Sequence, residues 1–265
     1  MDSAEWLEHF RDNRTRAAPP VPARIDDVPA HLRAPLVRSL QRFQLGETGE
    51  GTLARQVVAS HDPALDDDTR SSIALWVREE GQHAAQLAKV LRALGAQPIA
   101  RHFSQSWFRR ARRLLGYGKL GLHAKLVAVT CAEVVGLVVY RLVRDHGQSP
   151  TLSSIAAGLV DDERAHLEFL HDFFERSIAR SPAWARGAHR VALRAAVTTL
   201  LSAAVATIVV DQRSFLDAIA VGPRRFAEMC FAEVAALGVD RSREDRSRVV
   251  RARRGCAEAR LVARA

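Results

Sequence analysis

Glu80 and His83 in REEGQH, and Glu163 and His166 in DDERAH, repeat one spacing, a carboxylate followed three residues later by an imidazole. On a helix those two positions lie on one face about one turn apart, so both side chains can reach one ion. Either pair alone carries little weight. The chain has fourteen Glu and ten His, and random placement at that density gives roughly half an ExxH match. A third match, Glu168 with His171, shows that a discriminator is needed.

The upstream glutamates supply it. Glu133 stands thirty residues before Glu163 and Glu50 thirty before Glu80, so Glu50, Glu80 and His83 map onto Glu133, Glu163 and His166 with one constant offset of 83. Thirty residues before Glu168 stands Val138, which leaves the third match without a partner. Five residues also turn a helix by about 500°, placing Glu168 about 140° away from Glu163. Glu168 and His171 are therefore read as surface or outer residues. Glu47, one turn before Glu50 in GETGEG, stands as an alternative or additional ligand, and the offset favours Glu50. Gly46, Gly49 and Gly51 weaken the helix there, and their presence reads as close helix packing, a local bulge or room for a small molecule beside the ligands.

Glu133 poses a problem that this pattern resolves. It is the one charged side chain in LVAVTCAEVVGLVVY, residues 126–140, which reads as a buried helix. An isolated ionised carboxylate there costs several kcal/mol or takes up a proton. Thirty residues suffice for a helix to end, the chain to reverse and a second helix to return to the same height. Each Glu then faces its ExxH pair, and two such hairpins bring four carboxylates and two imidazoles together. Two divalent cations, about +4, offset the roughly −4 of four carboxylates. Tyr140, two turns beyond Glu133, and Trp76, one turn before Glu80, are read first as core aromatics, with Tyr140 also a candidate for an outer position by the metals. Asp162 points elsewhere from its neighbour Glu163, where it could bond a ligand histidine.

The elements that must position these groups are all helical, with no convincing strand pattern. PPVP at 19–22 suggests an extended N-terminal arm over 1–34. A first helix is expected from Pro35 to about Ser60, and a second from the Asp66–Asp67–Asp68 cap to Gly95 and Pro98. A basic and aromatic connection leads to about Gly121. A third helix then runs to His146 and a fourth from about Leu152 to Arg180. Residues 35–180 form the expected four-helix bundle with one long crossover. Further helices over about 184–219 and 223–237 pack on it (181–240), before an arginine-rich tail, 241–265.

Two short loops and one long crossover, together with one Glu and one ExxH from each of two helix pairs, resemble the ferritin-like non-haem di-iron carboxylate superfamily. The resemblance covers residues 35 to 180. It implies two iron ions, with manganese an alternative, held by Glu50, Glu80, His83, Glu133, Glu163 and His166, with Glu80 or Glu163 bridging. It also implies O2 as co-substrate and a separate electron donor such as a ferredoxin or reductase. The interval of fifty-three positions from Glu80 to Glu133 is similar to that in aldehyde-deformylating oxygenases. The expected function is thus an O2-dependent di-iron oxygenase or oxidase acting on a small or lipid-like organic molecule. A tRNA-modifying di-iron hydroxylase, a rubrerythrin- or ferritin-like protein that handles iron or reduces peroxide, and a non-catalytic metal-binding bundle stand as alternatives.

Composition bounds the rest. The 265 residues, 48% hydrophobic and 26% charged, suffice for one sizeable domain. Cys131, Cys230 and Cys256 are odd in number and widely spaced, so no disulfide framework or cysteine-based metal site is expected, nor the four-cysteine iron site of a full rubrerythrin. The charged start MDSAEWLEHFRDNRTR does not resemble an export signal, and a cytoplasmic location is expected. The net charge of +9 gathers in residues 101–113 and 241–254, which raises nucleic-acid binding as a lesser reading to solvated arginines. The uncharged run 195–210 is shorter than the ~20 residues of a bilayer span, so a buried helix is expected there and membrane association is the lesser reading.

Overall fold

The computed structural model describes residues 1–48, 56–57, 60, 62, 64–102 and 119–238. Among them every regular element is helical. The order is α1 (Ser3–Thr15), α2 (Ala30–Glu47), α3 (Asp67–Ala93), α4 (Lys119–His146) and α5 (Pro150–Ala179). A short 3-10 turn (Ala183–Ala185) leads to α6 (Arg186–Asp211), α7 (Arg213–Ala218) and α8 (Pro223–Gly238). The helix starts follow local chemistry. The Asp66 side chain accepts from the Thr69 amide at 2.8 Å, with Asp67 and Asp68 in the positive first turn of α3. Ser149 does the same for α5, at 3.1 Å from the Leu152 amide, ahead of Pro150.

The stops are equally local. Gly95, at φ 79°, ends α3: its amide bonds Arg92 and the Ala96 amide bonds Leu91, the nested pair of a Schellman motif. Gly147 ends α4, where a Cβ would sit 2.4 Å from the Val143 carbonyl oxygen, so only glycine fits. The chain reverses over three residues, and α5 returns along α4 in the most extensive helix pairing of the protein. α2 packs on α3, and α6 and α8 pack on α4. Core side chains such as Leu36, Leu91, Val134, Val138 and Leu159 fill the space between them.

Two expectations are corrected. The N-terminal arm is not extended throughout, because residues 3–15 form α1 and α2 already starts at Ala30 rather than Pro35. Asp2 and Glu5 make a reciprocal capping box, and Trp6, Leu7 and Phe10 bury one face against α3 and α5. The uncharged run of α6 is not buried all round. Leu201 and Val205 face the protein, whereas Leu200 is 39% and Val210 74% exposed. By length and apolar composition alone, Gly121–His146 and Ala183–Asp211 are both long enough to cross a membrane, and the first is the central core helix. Hydropathy records that a helix lacks charge; how many of its sides find a neighbour depends on the rest of the fold.

Candidate metal centre

Five of the six residues singled out by spacing meet in the core. Glu80 and His83 come from α3, Glu133 from α4, and Glu163 and His166 from α5; all are at least 94% buried. The sixth, Glu50, lies outside the described residues. Glu47, at the end of α2, turns its carboxyl group into the cluster. Its counterpart under the 83-residue offset is Thr130, whose hydroxyl bonds the Leu126 carbonyl, so the internal symmetry does not extend to this corner.

The donors form two groups. Glu47, Glu80, His83 and Glu163 place one ligand atom each within 4.8 Å of one another, and so do Glu80, Glu133, Glu163 and His166. Glu80 and Glu163 belong to both. Each group thus has a private Glu, a private His and two shared carboxylates, the composition of a dinuclear site with bridging carboxylates.

The histidines show which atom would face a cation. His166 Nε2 lies 3.1 Å from Glu79 Oε2, and His83 Nε2 lies 3.2 Å from Asp162 Oδ2. A carboxylate only accepts, so Nε2 carries the hydrogen in both rings. Nδ1 then points inward. In His166 it faces Glu80 Oε1 at 3.1 Å, Glu133 Oε2 at 3.4 Å and Glu163 Oε2 at 3.6 Å. In His83 it is a buried atom with no hydrogen-bond partner, with Glu163 Oε1 at 3.5 Å and Glu80 Oε1 at 3.7 Å. A buried nitrogen aimed at carboxylates without bonding them fits a ligand waiting for a cation.

The braces cross over: α5 supplies Asp162 to the histidine of α3, and α3 supplies Glu79 to the histidine of α5. Glu79 is not among the residues singled out by spacing. The signal was present, since the same offset of 83 maps Glu79 onto Asp162. Trp76 is more than core packing, for its indole nitrogen donates to Glu80 Oε1 at 3.2 Å. Tyr140 is wholly buried and donates its hydroxyl to Glu47. Glu168 and His171 are half-buried on another face of α5 and belong to neither donor group.

Without a cation the cluster is electrostatically crowded. Burial, then repulsion from neighbouring carboxylates, pushes Glu47, Glu80 and Glu133 above the ordinary glutamate value. Burial would lower His83 and His166, but their carboxylate partners outweigh it and hold both well above the usual imidazole range. Burial also works against the charge on Glu163, yet a proton shared with Glu133 and the neighbouring imidazoles of His166 and His83 keep it low. Asp162 is opposed by burial in the same way and still falls to about 2, through its bond to His83 and the charges of His83 and Arg16. Protons on the imidazoles and carboxyls thus neutralise a nest that two dications could neutralise instead.

Beyond Tyr140 lies an apolar cavity of about 10 Å³, lined by Leu40, Leu87, Val143 and Ile155 among others, large enough for one water-sized molecule. Gly136 leaves a further gap nearer the cluster, where a Cβ would lie 3.8 Å from the Tyr140 ring and 3.9 Å from the Glu163 carboxyl carbon. The basic segments of residues 103–113 and 241–254, with the rest of the tail, lie outside the described residues. No protein-family model, curated protein or solved structure matches this chain.

Proposed function

We propose that the chain is a ferritin-like carboxylate protein holding two iron ions, and that it works as an O2-dependent oxidase or oxygenase on a small organic substrate, with electrons from a separate reductase. The observation that carries this reading is the pair of four-donor groups sharing Glu80 and Glu163. Oxygen-rich ligation with one imidazole per ion suits iron, with manganese as the alternative. When bound, the iron pair supplies redox chemistry with O2 that no side chain of the cluster can perform.

The chain's own contribution is positional. Glu47 and Glu133 close the two ends, while Glu80 and Glu163 span the middle. His83 and His166 offer Nδ1 because Asp162 and Glu79 hold the protons on Nε2. Trp76 and Tyr140 donate hydrogen bonds to Glu80 and Glu47 and limit how far those carboxylates can swing. The surrounding wall of Val, Leu and Phe keeps bulk water out, which strengthens every electrostatic interaction inside. Among the described residues the nearby cavity admits only a very small molecule. Its size favours a second reading, in which O2 or peroxide is the only substrate to reach the metals, as in iron handling or peroxide reduction.

The test is the iron content and O2 uptake of the full chain. Wild type reconstituted anaerobically with ferrous iron should hold two ions and consume O2 when a reductant is present. Glu163→Gln, which removes a shared ligand, should lose both ions, whereas Glu47→Gln should weaken only one. Reconstituted wild type without bound iron overturns the reading, and iron-loaded protein that turns over peroxide but not O2 selects the second one.

A further inference from the structure

The N-terminal helix, unforeseen in the sequence, reaches the site. α1 lies along α3, and its Phe10 ring stacks over the imidazole of His166 with centroids 6.1 Å apart and planes 29° apart. One turn further on, Asn13 Nδ2 lies 2.8 Å from Glu79 Oε1 and 3.2 Å from Asp162 Oδ1. Arg16 pairs with that same oxygen of Asp162. A side-chain amide has two N–H donors, and here one goes to each carboxylate. Those carboxylates use their remaining oxygens on His166 and His83. The chain of contacts is therefore continuous, from one histidine through Glu79, Asn13 and Asp162 to the other.

The chemistry of the join matters. Glu79 and Asp162 carry like charge and approach one nitrogen from two sides, so an acceptor at position 13 would repel both and an apolar residue would leave both without that donor. Orienting either carboxylate fixes the amide plane, and the fixed plane presents the second hydrogen to the other carboxylate. Ordering one histidine then reduces what remains to be ordered at the second, which is a coupling free energy between two binding events.

We propose that Asn13 is a positioning residue that ties the two half-sites together, so that two divalent cations load as a cooperative pair. The proposal rests on the dinuclear reading of the cluster. It assigns to α1 a role in the metal site that α2 to α5 cannot supply alone.

The experiment is a titration of the metal-free full chain with Co²⁺, followed by its visible absorption. Wild type should take two ions in one steep transition with a Hill coefficient above 1. Asn13→Ala, at a half-exposed position on a helix that alanine favours, should still take two, but in separate steps with the second about tenfold or more weaker. Asn13→Asp keeps the shape and loses the donors, so it should be at least as impaired; a space-filling role would leave it unchanged. Arg16→Ala, which removes the ion pair to Asp162 and keeps the Asn13 bridge, should weaken loading overall while leaving it a single cooperative transition. Hydrogen exchange of the α1 amides establishes that the helix stays docked in each variant. Wild-type transitions in both Asn13 variants, or independent steps in wild type, overturn the coupling while leaving the dinuclear reading intact. Wild type that binds no Co²⁺ removes both.

Discussion

Metal-free and metal-loaded protein should respond to pH in opposite directions. In the metal-free fold Glu47, Glu80 and Glu133 keep protons above the 4.5 of an ordinary glutamate, and His83 and His166 keep theirs above 6.5. Groups raised in this way contribute stability that is complete below the unfolded value and is lost as pH rises through the folded value. Glu163 and Asp162 are lowered, so their contribution is complete above the unfolded 4.5 and 3.8 and fails only in acid; they are silent between pH 6 and 8. Over that window each proton kept by the fold and released by the unfolded chain costs about 1.4 kcal/mol per pH unit. Even one such proton is therefore a visible fraction of the stability of many domains. Cations replace these protons when they bind, so metal affinity tightens as pH rises and the loaded protein holds or gains stability over the same window. Urea unfolding at pH 6, 7 and 8, once with a chelator and once with excess Mn²⁺, measures both slopes. A metal-free stability that stays flat or increases from pH 6 to 8 would refute the crowding of these groups in one buried nest.

Asp162→Ala removes the acceptor that holds the His83 Nε2 proton and should weaken cation binding about 10–100-fold, read by competition with a chromophoric chelator, while Glu168→Ala on another face of α5 should change nothing. The one-sided packing of α6 makes a matched pair of expectations. Leu201→Ala, on the buried side, should lower stability by about 2–5 kcal/mol, and Ala203→Glu, on the exposed side, should stay within about 0.5 kcal/mol, both measured by urea unfolding.

What was legible in the sequence divides along physical lines. Helix limits at Asp66, Gly95 and His146 were readable because caps and stops are local chemistry, decided within a few residues, whereas α5 starts at Pro150, two residues before the expected Leu152. The convergence of Glu80, His83, Glu133, Glu163 and His166 was readable because one helical spacing and one offset recur together. The fourth carboxylate was harder. The offset favours Glu50, the described cluster holds Glu47, and the choice turns on which side of a helix end faces inward. Glu79 was hidden by its neighbour: adjacent residues point about 100° apart, and only the opposite helix decides that Glu79 has a histidine to hold. α1 is masked in the sequence by the prolines that follow it, which give the segment an extended character, although Asp2 with Glu5 and Trp6 with Phe10 are a cap and an apolar face in miniature. The exposure of α6 had no signal at all in its own residues.

The crossed braces on the two histidines have a consequence for how the protein could be divided. Neither hairpin is self-sufficient, since the α2–α3 pair lacks the carboxylate that holds its own imidazole, and the α4–α5 pair lacks its own as well. Cutting the chain between residues 102 and 119 would yield two fragments, each with a Glu-and-ExxH motif and an unsupported ring. Complementation of the two pieces would restore both rings in the same step, which makes the centre a joint property of the halves.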